Sequence, residues 1–159
     1  MQKSKIYSYS FSVPIVLMIG YAGTFFTTPS IPGWYATLTK PSFNPPNWIF
    51  GPVWTLLYLL IGISLGMVLS APKVTKYRTA AIASFAVQLA LNLLWSFTFF
   101  YLHRSSLAAV EILILLASIV VNIYYTDKVR KASARLLIPY LLWVSFATIL
   151  SIAIWQLNS

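Results

Sequence analysis

Residues Phe50 to Ser70 read FGPVWTLLYLLIGISLGMVLS, a run without one charged side chain. Coiled as an α-helix at about 1.5 Å per residue, it reaches about 31 Å, the thickness of a bilayer's hydrocarbon core. A helix of that length with no charged face belongs in lipid. Four more stretches share the character: roughly residues 11–28, 80–102, 107–125 and 136–157. Hydrophobic residues make up 59% of the chain and charged residues 8%, too little polar surface to cover a water-soluble core. Ten-residue alternating segments are absent, which leaves helices as the way to satisfy the backbone in lipid. The sequence therefore predicts an all-α integral membrane protein, a five-transmembrane-helix bundle forming one domain over residues 1–159.

The net charge of +9 would suggest nucleic acid in a soluble chain, but here the basic residues fall in the gaps between spans. Lys3, Lys5, Lys73, Lys76, Arg78, Lys128, Arg130, Lys131 and Arg135 lie on one side of a five-span arrangement; Lys40 and Arg104 lie on the other. The bias toward positive cytoplasmic loops puts the N-terminus in the cytoplasm, with the C-terminus and the first long loop outside. The first span reads as a signal anchor rather than a cleavable leader, because no small-x-small site follows it. No nucleic-acid partner is expected. Cysteine is absent and His103 is the single histidine, so disulfides, thiolate chemistry and multi-histidine metal sites are excluded for this chain.

The first long loop, residues 29–49, contains Trp34-Tyr35-Ala36-Thr37-Leu38-Thr39-Lys40-Pro41-Ser42-Phe43-Asn44-Pro45-Pro46-Asn47-Trp48. Flexible linkers are built of Gly, Ser and charge; this one carries rigid rings and the fixed φ of three prolines, and reads as a structured lid. Aromatic and amide residues also recur at helical spacing inside the spans. Gln88, Asn92, Trp95 and Phe99 fall within about 60° of one another around a 3.6-residue helix. Such a stripe either hydrogen-bonds a neighbouring helix or faces a cavity that stacks a flat ligand and meets its polar rim. Trp54 and Tyr58, at i and i+4, form a second face. Tyr140, Trp143, Ala147 and Ser151 form a third, with Ala147 leaving room. Trp155 reads as an interfacial anchor.

Pro29 and Pro32 are expected to end the first helix. Pro52 requires the second to begin near Trp48. Gly62 and Gly66 offer a small-x-x-x-small step for close helix packing, within the bundle or between copies. Glu111, the one carboxylate inside an apolar span, needs a partner, for which Arg104 and His103 are the candidates.

In order and spacing these residues resemble the TspO/MBR family, the bacterial relatives of the mitochondrial translocator protein. The resemblance is carried by Trp34-Tyr35, Lys40-Pro41, Pro45-Pro46, Trp48, Gly51, Trp54, Leu57-Tyr58, Gln88-Leu89, Leu91-Asn92, Trp95, Phe99-Phe100, Pro139-Tyr140, Trp143, Phe146-Ala147 and Trp155-Gln156-Leu157-Asn158. It implies a homodimer of five-helix bundles in the bacterial cell membrane, with a pocket at the lid end. The implied ligands are tetrapyrroles such as protoporphyrin IX, or similar hydrophobic small molecules of the isoquinoline and benzodiazepine type. Carried over by position, the pocket is Trp34, Tyr35, Pro46, Trp54, Gln88, Asn92, Trp95, Phe99, Trp143, Ala147 and Ser151, to which the helical spacing adds Tyr58. Some bacterial members are associated with light- and oxygen-dependent breakdown of protoporphyrin, which makes Trp54 and Trp143 the catalytic candidates.

No cofactor is required under this reading; porphyrin is ligand or substrate. The animal sterol-recognition pattern needs a Tyr and then a Lys or Arg late in the fifth span, and Leu150 to Gln156 supplies neither. The leading expectation is a membrane receptor or sensor. A porphyrin-degrading enzyme and a transporter are the alternatives. Hydrolysis is excluded, because the chain has no nucleophile with a base and no carboxylate pair.

Overall fold

A computed structural model describes residues 2–72 and 76–159, with the side chains of residues 2–5 outside that description. Lys73 and the side chains of Lys3 and Lys5, used above for sidedness, therefore lie outside the described residues. Seven α-helices follow in order: α1 (Gln2–Ser30), α2 (Trp34–Thr37), α3 (Asn47–Leu69), α4 (Arg78–Ser96), α5 (Ser105–Val129), α6 (Lys131–Leu136) and α7 (Ile138–Leu157). A π-helical turn, Phe97–Tyr101, extends α4. Among the described residues five segments are long and apolar enough to cross a membrane: Ile6–Ser30, Asn47–Leu69, Arg78–Tyr101, Ser105–Val129 and Lys131–Leu157. Each meets the length a bilayer demands. The protein is an all-α integral membrane protein with five such helices.

The spans extend beyond their apolar cores because backbone hydrogen bonding does not stop where hydrophobicity does. α1 ends at Ser30, between Pro29 and Pro32 as expected, with Pro29 in its last turn. Pro52 is the sixth residue of α3, one turn later than a first-turn proline, and leaves the Trp48 carbonyl without its helical donor. The last span is split: Leu137 joins α6 to α7, and Pro139 occupies the first turn of α7, where its missing N–H costs nothing.

Helix packing uses the glycines as close-approach points. At Gly62 a Cβ would stand 2.9 Å from the Cα of Val13, and the Ser12 hydroxyl donates to the Gly62 carbonyl at 2.8 Å. Gly66 faces Tyr9 and Ser12, and Gly20 faces the ring of Tyr58. The small-x-x-x-small step is thus occupied by α1 of the same chain. Ser64 on α3 and Ser133 on α6 exchange hydrogen bonds of 2.8–3.0 Å, and Asn122 on α5 donates to the Ser84 hydroxyl on α4 at 2.8 Å. Apolar packing fills the remainder around Val16, Ile61, Phe85, Leu115 and Leu137.

The lid ends of the helices are tied together. Trp34 stacks on His103 at 4.4 Å, and the Ser30 hydroxyl donates to the Phe100 carbonyl at 2.5 Å. The Asn158 side chain, just past α7, forms a two-way pair with the backbone of Thr39: Nδ2 donates to its carbonyl and Oδ1 accepts from its N–H, both at 2.9 Å. The C-terminus and the lid therefore share one end of the bundle.

Candidate functional site

Beneath the lid lies a cavity of about 560 Å3 walled by α1, α3, the end of α4 and α7. That volume is in the range of pockets for drug-sized ligands. α3 contributes Trp54 and Tyr58, whose rings stack at 5.5 Å with 29° between planes. The Trp54 ring also meets Tyr140 edge-on at 6.3 Å. On the opposite wall Trp95 and Phe99 stack at 5.2 Å and 15°. Their spacing of four would bring them together in an α-helix, and the π turn beginning at Phe97 keeps Phe99 turned inward beside Trp34 and Tyr35. α7 supplies Trp143, Ala147 and Ser151 on one face, with Phe50 meeting Trp143 edge-on at 5.9 Å.

Three polar atoms of residues that line the cavity, one on α4 and two on α7, are buried and have no hydrogen-bond partner among the described residues: Trp95 Nε1, Trp143 Nε1 and Ser151 Oγ. Buried donors are ordinarily satisfied, so these are places where a bound molecule would supply acceptors. The wall chemistry is accordingly aromatic faces for stacking plus a few hydrogen-bond donors.

Of the twelve residues named above as ligand-binding, the cavity brings together Tyr35, Trp54, Tyr58, Trp95, Phe99, Trp143, Ala147 and Ser151. Trp34, Pro46, Gln88 and Asn92 do not line it. Trp34 is half-buried behind Phe99, which it meets at 5.3 Å, and Pro46 is exposed at the start of α3. Gln88 and Asn92 are buried in a hydrogen-bonded cluster under the aromatic floor. The Tyr58 hydroxyl donates to Asn92 Oδ1 at 2.5 Å, Asn92 Nδ2 donates to the Tyr140 hydroxyl at 3.1 Å, and that hydroxyl donates to Gln88 Oε1 at 2.8 Å. The amides hold Tyr58 and Tyr140, and through them the ring of Trp54.

The sequence reading missed the α1 wall. Gly20, Gly23, Thr24 and Thr27 line the cavity. The signal was present in the two glycines and the hydroxyl run near the lid end, though it carries no aromatic mark. Glu111 finds the Thr98 hydroxyl rather than Arg104 or His103. Both of those precede the first turn of α5 and are exposed, with His103 in the left-handed region at φ 54°. Among the described residues no three metal-ligating side chains cluster.

The lid itself is fixed by Tyr35, which is 5% exposed and donates its hydroxyl to Asn44 Oδ1 at 3.0 Å. The Lys40 ammonium lies 4.6 Å over its ring and donates to the Leu38 carbonyl. Burial pushes the Tyr35 phenol above its ordinary value, partly offset by the bond to Asn44.

The TspO/MBR family model matches residues 12–156. A "Tryptophan-rich protein TspO" from Archaeoglobus fulgidus is 46% identical over 148 residues, covering 93% of this chain and 95% of that protein. The protein of the same name from Chlorobaculum tepidum is 39% identical over 154 residues, covering 97% and 98%. The human "Translocator protein" is 35% identical over 126 residues, covering 79% and 75%.

Proposed function

Because the chain belongs to the TspO/MBR family, we propose that it is a membrane receptor or sensor that binds a tetrapyrrole, with protoporphyrin IX as the type ligand, in the cavity beneath its lid. The observation that carries this reading is the pairing of two stacked aromatic walls, Trp54 with Tyr58 and Trp95 with Phe99, with the unpartnered donors Trp95 Nε1, Trp143 Nε1 and Ser151 Oγ. A flat conjugated ring gains from stacking on such faces, and polar groups at its rim or on its substituents accept from the three donors. Isoquinoline carboxamides and benzodiazepines share that chemistry in smaller form. The lid and the Tyr35–Asn44 bond keep water from competing for the donors.

Trp54 and Trp143 both line the cavity, on different helices. An excited porphyrin there would lie against two oxidisable indoles, so light- and oxygen-dependent degradation of the bound ligand is the second activity we propose for the same site. Sidedness follows the basic loops: N-terminus in the cytoplasm, lid and C-terminus outside.

The test is a protoporphyrin IX titration of purified protein followed by tryptophan quenching, in the dark and then under illumination in air. Replacing Trp143 by Phe keeps an aromatic face and removes one donor; binding is expected to weaken about fivefold, the worth of about 1 kcal/mol for one neutral hydrogen bond. A titration curve for Trp143→Phe identical to that of the parent would count against the role of its N–H. Loss of porphyrin absorbance in the light, slowed in Trp54→Phe and Trp143→Phe, supports degradation; unchanged photolysis removes it.

A further inference from the structure

A second groove lies away from the aromatic cavity, on the side of α4 that meets α5. It has a volume of about 320 Å3 and runs between the end of α4 and the start of α5. Its walls are Leu94, Leu107, Val110 and Ile114, each between 48% and 54% exposed, on a face of α4 and α5 that no other helix covers. Phe97 and Leu102 also line it, and no basic residue is among its lining. Among the described residues that line it, two have polar side chains, Thr98 and Glu111.

Glu111 is 7% exposed and Thr98 is 3% exposed. The Thr98 hydroxyl bonds the Glu111 carboxyl, yet Oε1 of that carboxyl is buried with no partner among the described residues. An oxygen of this kind accepts a hydrogen bond whether the carboxyl is ionised or neutral with its proton directed to Thr98. What that oxygen lacks is a hydrogen-bond partner, and a hydroxyl, which both donates and accepts, supplies one in either protonation state. The carboxyl lies six residues into α5, about 9 Å along the axis from its lid end. It therefore sits just inside the apolar layer, within reach of a group anchored at the interface.

The geometry points to a lipid site: a neutral membrane lipid with one free hydroxyl on an apolar body, of the diacylglycerol type, lays a chain along Leu94, Val110 and Ile114 and donates its hydroxyl to Glu111 Oε1. A phospholipid headgroup fits less well, since the groove offers no cation to a phosphate. The local fold is made for this pairing. The π turn at Phe97–Tyr101 widens the helix by one residue per turn, so that Trp95 and Phe99 face the aromatic cavity while Thr98 faces α5.

The experiment uses the full chain in phosphatidylcholine nanodiscs, with a diacylglycerol carrying a photoreactive acyl chain as the probe. A phosphatidylcholine carrying the same chain is the control. The proposal expects crosslinks to the diacylglycerol, mapped by mass spectrometry to α4 and α5 residues of the groove, in about tenfold excess over the control probe. That ratio corresponds to about 1.4 kcal/mol for the added donor. Glu111→Leu should bring the two probes to the same level, and Glu111→Gln, which keeps a carbonyl acceptor, should retain most of the excess.

Should Glu111→Leu fail to fold, Ile114→Trp fills the groove from the lipid side with the carboxyl intact and should abolish the same excess. Equal labelling by both probes overturns the proposal, leaving ordinary lipid contact. Diacylglycerol labelling that is indifferent to both Glu111→Leu and Ile114→Trp overturns it too, as does a crosslink from Ile114→Cys to a second copy of the chain. Labelling that persists in Trp143→Phe is expected, because the groove does not share the porphyrin cavity.

Discussion

Tyr35 concentrates the lid's chemistry in one side chain, buried, donating to Asn44 and lying beneath Lys40. Its phenol titrates above the ordinary tyrosine value of 10.0, with burial as the cause. The folded state therefore holds this proton more tightly than the unfolded chain. Its contribution to stability is complete below pH 10 and is lost as pH rises through the raised folded value. Lid opening, read as faster release of bound porphyrin, should be flat through neutral pH and increase only in the alkaline limb. In Tyr35→Phe, whose ring packs but cannot ionise, that alkaline limb should vanish; a limb that survives would place the titration elsewhere. Tyr35 and Trp54 were legible in the sequence because large aromatics in a polar loop, or in line on a helical stripe, need a surface to pack against. Gln88 and Asn92 were harder to read. Spacing showed that they face inward, while only the structure shows them bonded to Tyr58 and Tyr140 instead of lining the cavity.

At the scale of elements, the seam of α1 against α3 shapes the cavity. Gly62 and Gly66 let α1 approach until Val13 nearly touches the α3 backbone, and Gly20 admits the ring of Tyr58. Gly62→Leu inserts a side chain against a backbone atom, which cannot move as a side-chain tip would. A loss of about 3 kcal/mol or more is expected, seen as a lower Tm in detergent even at concentrations where the chain is monomeric. An unchanged Tm with a shifted oligomeric distribution would mean that the step serves contacts between copies. The sequence marked these glycines as a packing device without naming the partner, since small residues encode closeness and not identity. The π turn at Phe97–Tyr101 was not legible at all. Its residues satisfy α-helical spacing equally well, and the extra residue is selected by how α4 meets α5 and the lid.

Across the whole molecule, five crossings put the lid and the C-terminus at one end, where Asn158 clasps Thr39, and leave the start of α1 at the other. The chain contains no cysteine, so single replacements report sidedness without background. Ser42 in the lid and Ala132 in α6 are both exposed and suit that purpose. In right-side-out vesicles a membrane-impermeant maleimide should label Ser42→Cys and spare Ala132→Cys; the reverse pattern would invert the orientation taken from the basic loops. The five-span plan was legible from apolar length alone, because lipid leaves few alternatives to a helix. The central claim is that the cavity under the lid is the tetrapyrrole site, and Ala147 is the small residue that keeps its α7 wall open. The most direct test is a protoporphyrin IX titration of Ala147→Phe beside the parent chain, with helicity checked by circular dichroism. The account predicts saturable binding in the parent and an affinity at least about tenfold lower in the filled variant at unchanged helicity. Equal affinity in the two proteins would place porphyrin elsewhere and contradict it.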